Sequence, residues 1–326
     1  PAHHGIVENN VYDFGTTFSM SKRKEVQNPR WWLGEPIWVT AEKQNQNSAA
    51  FFFPGTETKI SGVKPQISNV YNGKVPPEFR VDKILSYLDL PAEKRPTMLT
   101  LYFSDVDDAG HEFSPDAEET RYAVHNVDRY IEQLYNGLKQ RKIDKKVNVI
   151  ITSDHGMASY KVQNAIFLDD YFSDKLAEKI LWTNEFVQIF PKDGKTNEIF
   201  GKINNIKNLN CWNKKDIPTR FNYQDSPRIA PIICLADEGW IVTNHKRYDD
   251  WLDDIIDVTK PRGAHGYDNN LTSMRAIFLA HGEAFKKNYI AEPFENIQVY
   301  NLMCKILGLN PAKNDGDFEK IKSVLR

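Results

Sequence analysis

Three segments of the chain carry residues that do chemistry together. They are Ser104-Asp105-Val106-Asp107-Asp108-Ala109-Gly110-His111, then Ser153-Asp154-His155-Gly156-Met157, then Gly263-Ala264-His265-Gly266-Tyr267-Asp268-Asn269. Each sets histidine, alone or with aspartate, beside glycine. Neutral imidazole and carboxylate are ligands that zinc takes three or four at a time. Asp107 and His111 stand four residues apart, so a helical turn or compact loop aims both at one ion. Asp154 and His155 are adjacent, and a strand end can splay such a pair toward one ion. Glycine lets the backbone turn tightly and approach an ion or phosphate closely. Two metals a few ångströms apart polarise a phosphoryl oxygen and stabilise the attacking and leaving oxygens. Singly, the same residues say less. Asp-x-x-x-His is commonly a surface pair, Asp-His after a strand can cap the next helix, and His265 alone carries no signal. His3, His4, His125, His245 and His281 read as structural or solvated.

The elements that position these segments follow from apolar patterning. Ala49 to Phe53 reads as a strand ended by Pro54-Gly55. Val81, Ile84, Leu85 and Leu88 recur at helical spacing. Met98 to Phe103 and Val147 to Thr152 read as buried parallel strands that end where the first two segments begin. Ser114-Pro115-Asp116 starts a helix with Val124, Val127, Ile131, Leu134 and Leu138 on one face. Phe186 to Phe190, Ile229 to Leu235 and Ala276 to Leu279 are further strands, and Ile297 to Leu307 is a closing helix. Alternation of this kind implies an α/β fold, its largely parallel central sheet covered by helices on both faces. Such sheets place ligands at the carboxyl ends of their strands.

Composition bounds the function. Lys plus Arg is 42 and Asp plus Glu is 44 among 326 residues, a net charge of −2. No basic excess supports a stable nucleic-acid partner. With 40% hydrophobic and 12% aromatic residues, a buried core is well supplied. The length fits one large domain or two modest ones. No apolar run approaches about 18 residues, so no membrane-spanning helix is expected within the chain. There is no internal repeat. The opening Pro1-Ala2-His3-His4-Gly5, without Met or signal peptide, reads as a chain cut from a longer one. Cys211, Cys234 and Cys304 are odd in number and widely spaced, and read as buried or free thiols, with Cys234 in the core.

Taken jointly, Asp107-x-x-x-His111, Ser153-Asp154-His155-Gly156-Met157 and His265-Gly266-Tyr267-Asp268-Asn269 resemble the signature of the nucleotide pyrophosphatase/phosphodiesterase family of the alkaline phosphatase superfamily. Other segments match in order: His4-Gly5-Ile6-Val7-Glu8-Asn9-Asn10-Val11-Tyr12-Asp13, Gly34-Glu35-Pro36-Ile37-Trp38, Phe53-Pro54-Gly55, Tyr71-Asn72-Gly73, Ala236-Asp237-Glu238-Gly239-Trp240 and Tyr300-Asn301-Leu302-Met303-Cys304. Asp216-Ile217-Pro218 looks nearest the short nucleotide-cleaving members.

The resemblance implies an alkaline-phosphatase-like fold and a single catalytic domain over residues 1–326. It implies two zinc ions, one held by Asp107, His111 and His265, the other by Asp154 and His155. The family's threonine nucleophile and a further zinc-binding Asp are expected upstream of residue 1. The domain would then be N-terminally incomplete, without the first strand and nucleophile segment, and the second zinc site would be incomplete. Asn9 matches the family residue whose amide donates to the phosphoryl oxygen. Tyr71 matches the aromatic that stacks on a nucleobase, and Phe53 stands beside that pocket. Cys211 and Cys304 fall where relatives have bridged cysteines, but the usual partners are missing. The implied activity is hydrolysis of nucleotide phosphodiester or pyrophosphate bonds through a covalent threonine intermediate. Alternatives are a choline or lipid head-group phosphodiesterase, another hydrolase or mutase of the superfamily, and a catalytically silent nucleotide-binding paralogue. The implied location is extracellular, at the cell surface, or in a secretory or vacuolar lumen, with any membrane anchor outside this chain.

Overall fold

The computed structural model describes residues 3–13, 15–253, 255 and 257–326. In chain order these form strands β1 (Asn10–Asp13) and β2 (Thr16–Ser19), helices α1 (Arg23–Val26) and α2 (Ile37–Lys43), strands β3 (Ser48–Phe51) and β4 (Ile67–Ser68), helix α3 (Pro77–Leu88) and strand β5 (Met98–Leu101). Helices α4 (Asp105–Phe113) and α5 (Glu118–Gln140) follow, then strands β6 (Val149–Thr152), β7 (Ala158–Tyr160), β8 (Ala165–Phe167), β9 (Ala177–Trp182) and β10 (Phe186–Pro191). The remainder is helix α6 (Thr196–Ile203), strands β11 (Leu209–Asn213), β12 (Ile232–Ala236) and β13 (Ile241–Thr243), helix α7 (His245–Leu252), strands β14 (Arg262–Ala264) and β15 (Phe278–His281), and helix α8 (Gln298–Leu307).

The chain divides into two compact units, each discontinuous in sequence. The first is drawn from Pro1–Met20, Asp105–Val124 and His155–Ala276, the second from Ser21–Ser104, His125–Asp154 and Ile277–Arg326. The first unit is built on an antiparallel sheet in the order β11-β12-β10-β9. Val187, Ile189, Ile232 and Cys234 are fully buried in it, and α6 covers them with Ile199 and Ile203. Strand β12 begins only after Pro231, whose missing N–H cannot join a ladder. In the same unit β14 pairs antiparallel with β7, and β13 pairs parallel with β8.

The second unit contains the parallel ladder β4-β3-β5, with β3 buried along its whole length. Helix α3 starts with Pro at its first turn, where no N–H is needed. It packs Val81 and Leu85 against Tyr130 and Leu138 of α5. The two helices approach so closely that a Cβ on Gly137 would lie 2.2 Å from Leu85 Cδ1. Val127 and Leu134 join this cluster, whereas Val124 is 49% exposed. Strand β6, expected to run parallel, pairs antiparallel with β15. Nor is it buried as expected: Val149, Ile150 and Ile151 are half-buried and Thr152 is exposed, since a short apolar run fixes neither burial nor pairing direction.

The reading of all three cysteines as unbridged is corrected. Cys211 and Cys234 face each other in the β11–β12 register and form a disulfide, with their Cα atoms 4.0 Å apart. Cys304 remains a buried free thiol in the cluster of Ile37, Val39 and Ala41. The two bridged positions are 23 residues apart, and only the hairpin-like register of the sheet brings them together. Cross-linking a loop of that length restricts the unfolded chain by about 3 kcal/mol. Cys211→Ser is therefore expected to lower the denaturant midpoint by that equivalent. An unchanged midpoint would count against the bond. Among the described residues no helix is long and apolar enough to cross a membrane.

Candidate metal centre

The centre lies in the first unit and is assembled by α4, β7 and β14. Helix α4 carries Asp105, Asp107 and Asp108 in its first turn, where acidic groups complement the helix dipole. Asp107 and His111 then share one face, and His111 Nε2 lies 3.5 Å from Asp107 Oδ1. Gly110 lets this helix approach its neighbours. A Cβ there would sit 2.4 Å from Met157 Sδ, and a Cβ on Gly263 would sit 2.2 Å from Gly110 O.

The β7–β14 ladder supplies the other histidines. Its register pairs Ala158 with Ala264, so the residues just before β7 lie beside those just after β14. His155 and His265 consequently stack, with ring centroids 3.4 Å apart and planes 11° from parallel. His265 Nε2 is 3.7 Å from Asp107 Oδ1, and its ring centroid is 4.9 Å from that of His111.

Two backbone carbonyls set the tautomers. His111 Nδ1 is 2.9 Å from Gly263 O, and His155 Nδ1 is 2.8 Å from Gly156 O. A carbonyl only accepts, so each Nδ1 carries the proton and Nε2 is the deprotonated nitrogen, the one that ligates metal. Burial, reinforced by the neighbouring His155 and His111, lowers the His265 pKa to about 3. Its imidazole is therefore neutral at pH 7, the form that binds metal.

The ligand atoms of Asp107, His155 and His265 all lie within 4.8 Å of one another, and each residue is half-buried. Zinc holding nitrogen and oxygen ligands at about 2.1 Å in a tetrahedron keeps them roughly 3.4 Å apart. The Asp107–His111 and Asp107–His265 separations of 3.5 and 3.7 Å match that spacing. The donor set thus fits a zinc-type ion. Asp107 and His265 are common to both groupings, the one expected with His111 and the one gathered with His155.

The other expected residues are placed as follows. Asp154 is exposed directly after β6 and stands outside the group of three. Asn9 is exposed, and its carbonyl accepts from Met20 N at the base of the β1–β2 hairpin. In the second unit Phe53 is 42% exposed and edge-on to Trp38, and Tyr71 is 38% exposed and edge-on to Phe52 and Tyr102.

Two carboxyls near the centre escape sequence reading. Burial raises the Glu185 pKa to about 8, with the charge of Glu8 adding to the effect. Glu185 lies against the turn after His265, since a Cβ on Gly266 would fall 2.6 Å from its Oε1. Burial likewise raises Glu8 to about 7, although backbone N–H groups of Asn10 and Asn9 donate to it. A glutamate in the turn between β9 and β10 carries no sequence mark of burial.

The family described as Type I phosphodiesterase / nucleotide pyrophosphatase matches residues 1–268. Venom phosphodiesterase 2 of Crotalus adamanteus is 37% identical over 341 residues, covering 100% of this chain and 40% of that protein. Ectonucleotide pyrophosphatase/phosphodiesterase family member 1 of Mus musculus is 36% identical, with 100% and 36% covered. The chain thus spans about two fifths of the length of these curated relatives. Murine ectonucleotide pyrophosphatase/phosphodiesterase 5, solved as an inactive variant with AMP, superposes with a TM-score of 0.90 at 32% identity, covering 100% of this chain and 84% of that one. The human counterpart gives a TM-score of 0.91 with the same identity and coverage. On these matches the fold is α/β and alkaline-phosphatase-like, and the chain belongs to the type I phosphodiesterase/nucleotide pyrophosphatase family.

Proposed function

We propose that this protein hydrolyses phosphodiester and pyrophosphate bonds of nucleotides, with residues 1–326 belonging to one catalytic domain and with two zinc ions as cofactors. The observation that carries the reading is the convergence of Asp107, His155 and His265 within 4.8 Å, with His111 3.5 Å from Asp107. In this reading Asp107, His111 and His265 hold one ion, and Asp154 and His155 contribute to the other. Bound zinc supplies Lewis-acid stabilisation of the oxygens around phosphorus. Gly263 O and Gly156 O hold the His111 and His155 rings in their ligating tautomer. Asn9 donates its amide N–H to a phosphoryl oxygen, where charge builds as the attacking oxygen bonds to phosphorus. A threonine oxygen attacks, an alcohol or phosphate leaves, and water then cleaves the phosphothreonine ester, regenerating the hydroxyl. Tyr71 and Phe53, both partly exposed, stack on the base in this reading.

An extracellular site of action is part of the proposal. The venom and ectonucleotidase relatives support it, and so does the Cys211–Cys234 bond, since structural disulfides persist in oxidising compartments.

The natural full-length protein, assayed on a chromogenic nucleotide diester and on the matching monoester, is expected to prefer the diester and to lose turnover with a chelator. Restored turnover on adding zinc completes the result. Preference for the monoester, or turnover that a chelator leaves intact, would count against the reading.

A further inference from the structure

The loop that presents Tyr71 is held at three points within the second unit. Before Tyr71, Asn69 Nδ2 donates to Tyr87 Oη at 3.1 Å and to Ala50 O at 3.3 Å. After it, the guanidinium of Arg80, only 2% exposed, donates to Gly73 O at 3.2 Å, Val75 O at 3.0 Å and Tyr102 O at 3.0 Å. At Tyr71 itself the backbone N–H donates to Glu57 Oε1 at 3.0 Å. Gly73 completes the seat, since a Cβ there would come within 3.2 Å of Tyr71 Oη.

Glu57 is the junction of this arrangement. Its side chain is 5% exposed, and it pairs with the Arg23 guanidinium at the start of α1. Gln27 Nε2 donates to its second oxygen at 3.0 Å. Burial alone would raise its pKa, but donation from Arg23, Gln27 and the Tyr71 N–H outweighs that and holds the carboxyl below its ordinary range. A buried ionised carboxylate with three donors is rigid, because releasing any one leaves charge or a donor unmatched. Stacking on a planar group depends on ring orientation, and a platform fixed in advance spends less entropy on binding.

We propose that Glu57 is a positioning residue for base recognition: by tying Arg23 and Gln27 to the Tyr71 backbone, it fixes the Tyr71 ring as a platform for the nucleobase and favours ligands that carry one. This rests on the reading of Tyr71 as the stacking residue. The test is calorimetric binding of AMP and of base-free ribose 5-phosphate to the full-length protein. Glu57→Ala is expected to weaken AMP roughly tenfold, within the span of base–aromatic stacking, and to leave ribose 5-phosphate within about twofold. In a Tyr71→Ala background the same change adds no further loss, because the two residues act through one contact. Glu57→Gln keeps an acceptor for the Tyr71 N–H, so its loss for AMP stays near threefold. Should Glu57→Ala fail to fold, selective AMP loss in Glu57→Gln supports the proposal and equal loss for both ligands overturns it. Equal weakening of both ligands in Glu57→Ala, or additive losses in the double variant, overturns the positioning role while leaving Tyr71 stacking intact. Unchanged AMP affinity in Tyr71→Ala removes the stacking role itself, and the proposal with it.

Discussion

Replacing His265 with alanine is expected to remove one zinc ion from the binding stoichiometry, together with the thermal stabilisation that this ion gives the protein. His265 is the hub of the centre. Its Nε2 lies 3.7 Å from Asp107 Oδ1, its ring stacks on His155, and His111 flanks it at 4.9 Å. It belongs to the group with His155 and to the group with His111, so its loss leaves each with two donors. Zinc sites are built from three or four. An ion present at about 100 times its dissociation constant stabilises a folded protein by about 2.7 kcal/mol, and the variant forfeits that term. Removing even an outer partner of a ligand costs roughly 10–100-fold in affinity or activity. Loss of the ligand itself is therefore expected to lower diester turnover by more than about 100-fold. His125→Ala, on an exposed position of α5, is the matched control and should change neither quantity. Isothermal titration with zinc and thermal melts with and without the ion decide. Wild-type stoichiometry and affinity in His265→Ala would remove this residue from the centre. Comparing His111→Ala with His155→Ala then shows which grouping holds the first ion.

The parts of this centre visible in sequence are those encoded locally. Asp107 and His111 stand four apart, and the helix that makes them neighbours follows from that spacing and from the acidic first turn. The meeting of His155 with His265 is different, because 110 positions separate them along the chain and only the Ala158–Ala264 register joins them. The same holds for Cys211 and Cys234, whose bond depends on the pairing of β11 with β12. Apolar runs located the core strands, but the direction of β6 depends on β15, which comes 129 residues after β6 starts if counted from Val149 to Phe278. Glu57 and Glu185 were hidden for a related reason. Glutamate in a turn ordinarily points to water, and their burial comes from chain segments brought over them in the fold.

Glycine spacing around the centre is as demanding as the ligands, and Gly156→Ala should show it. A Cβ at Gly156 would lie 2.1 Å from Ser273 O and 2.8 Å from Arg275 O. Both obstacles are backbone, so neither can swing aside as a side chain would. Gly156 N also donates to Met274 O at 3.0 Å, which pins the two segments at this distance. Separating them shifts Gly156 O, the acceptor that orients His155 Nδ1 at 2.8 Å. Overpacking of this kind costs about 3 kcal/mol, and the displaced imidazole should weaken zinc binding at least roughly tenfold. Gly201→Ala is the opposing control. Gly201 lies inside α6 with open space where a Cβ would be, so alanine there should stabilise the protein by up to about 1 kcal/mol. Denaturant melts and zinc titrations of the two variants measure both effects. If Gly156→Ala kept wild-type stability and zinc affinity, the close approach of residues 273–275 would not be what seats His155. Opposite signs for one chemical change at two positions would show that the backbone approach, rather than glycine flexibility, is what the centre requires of Gly156.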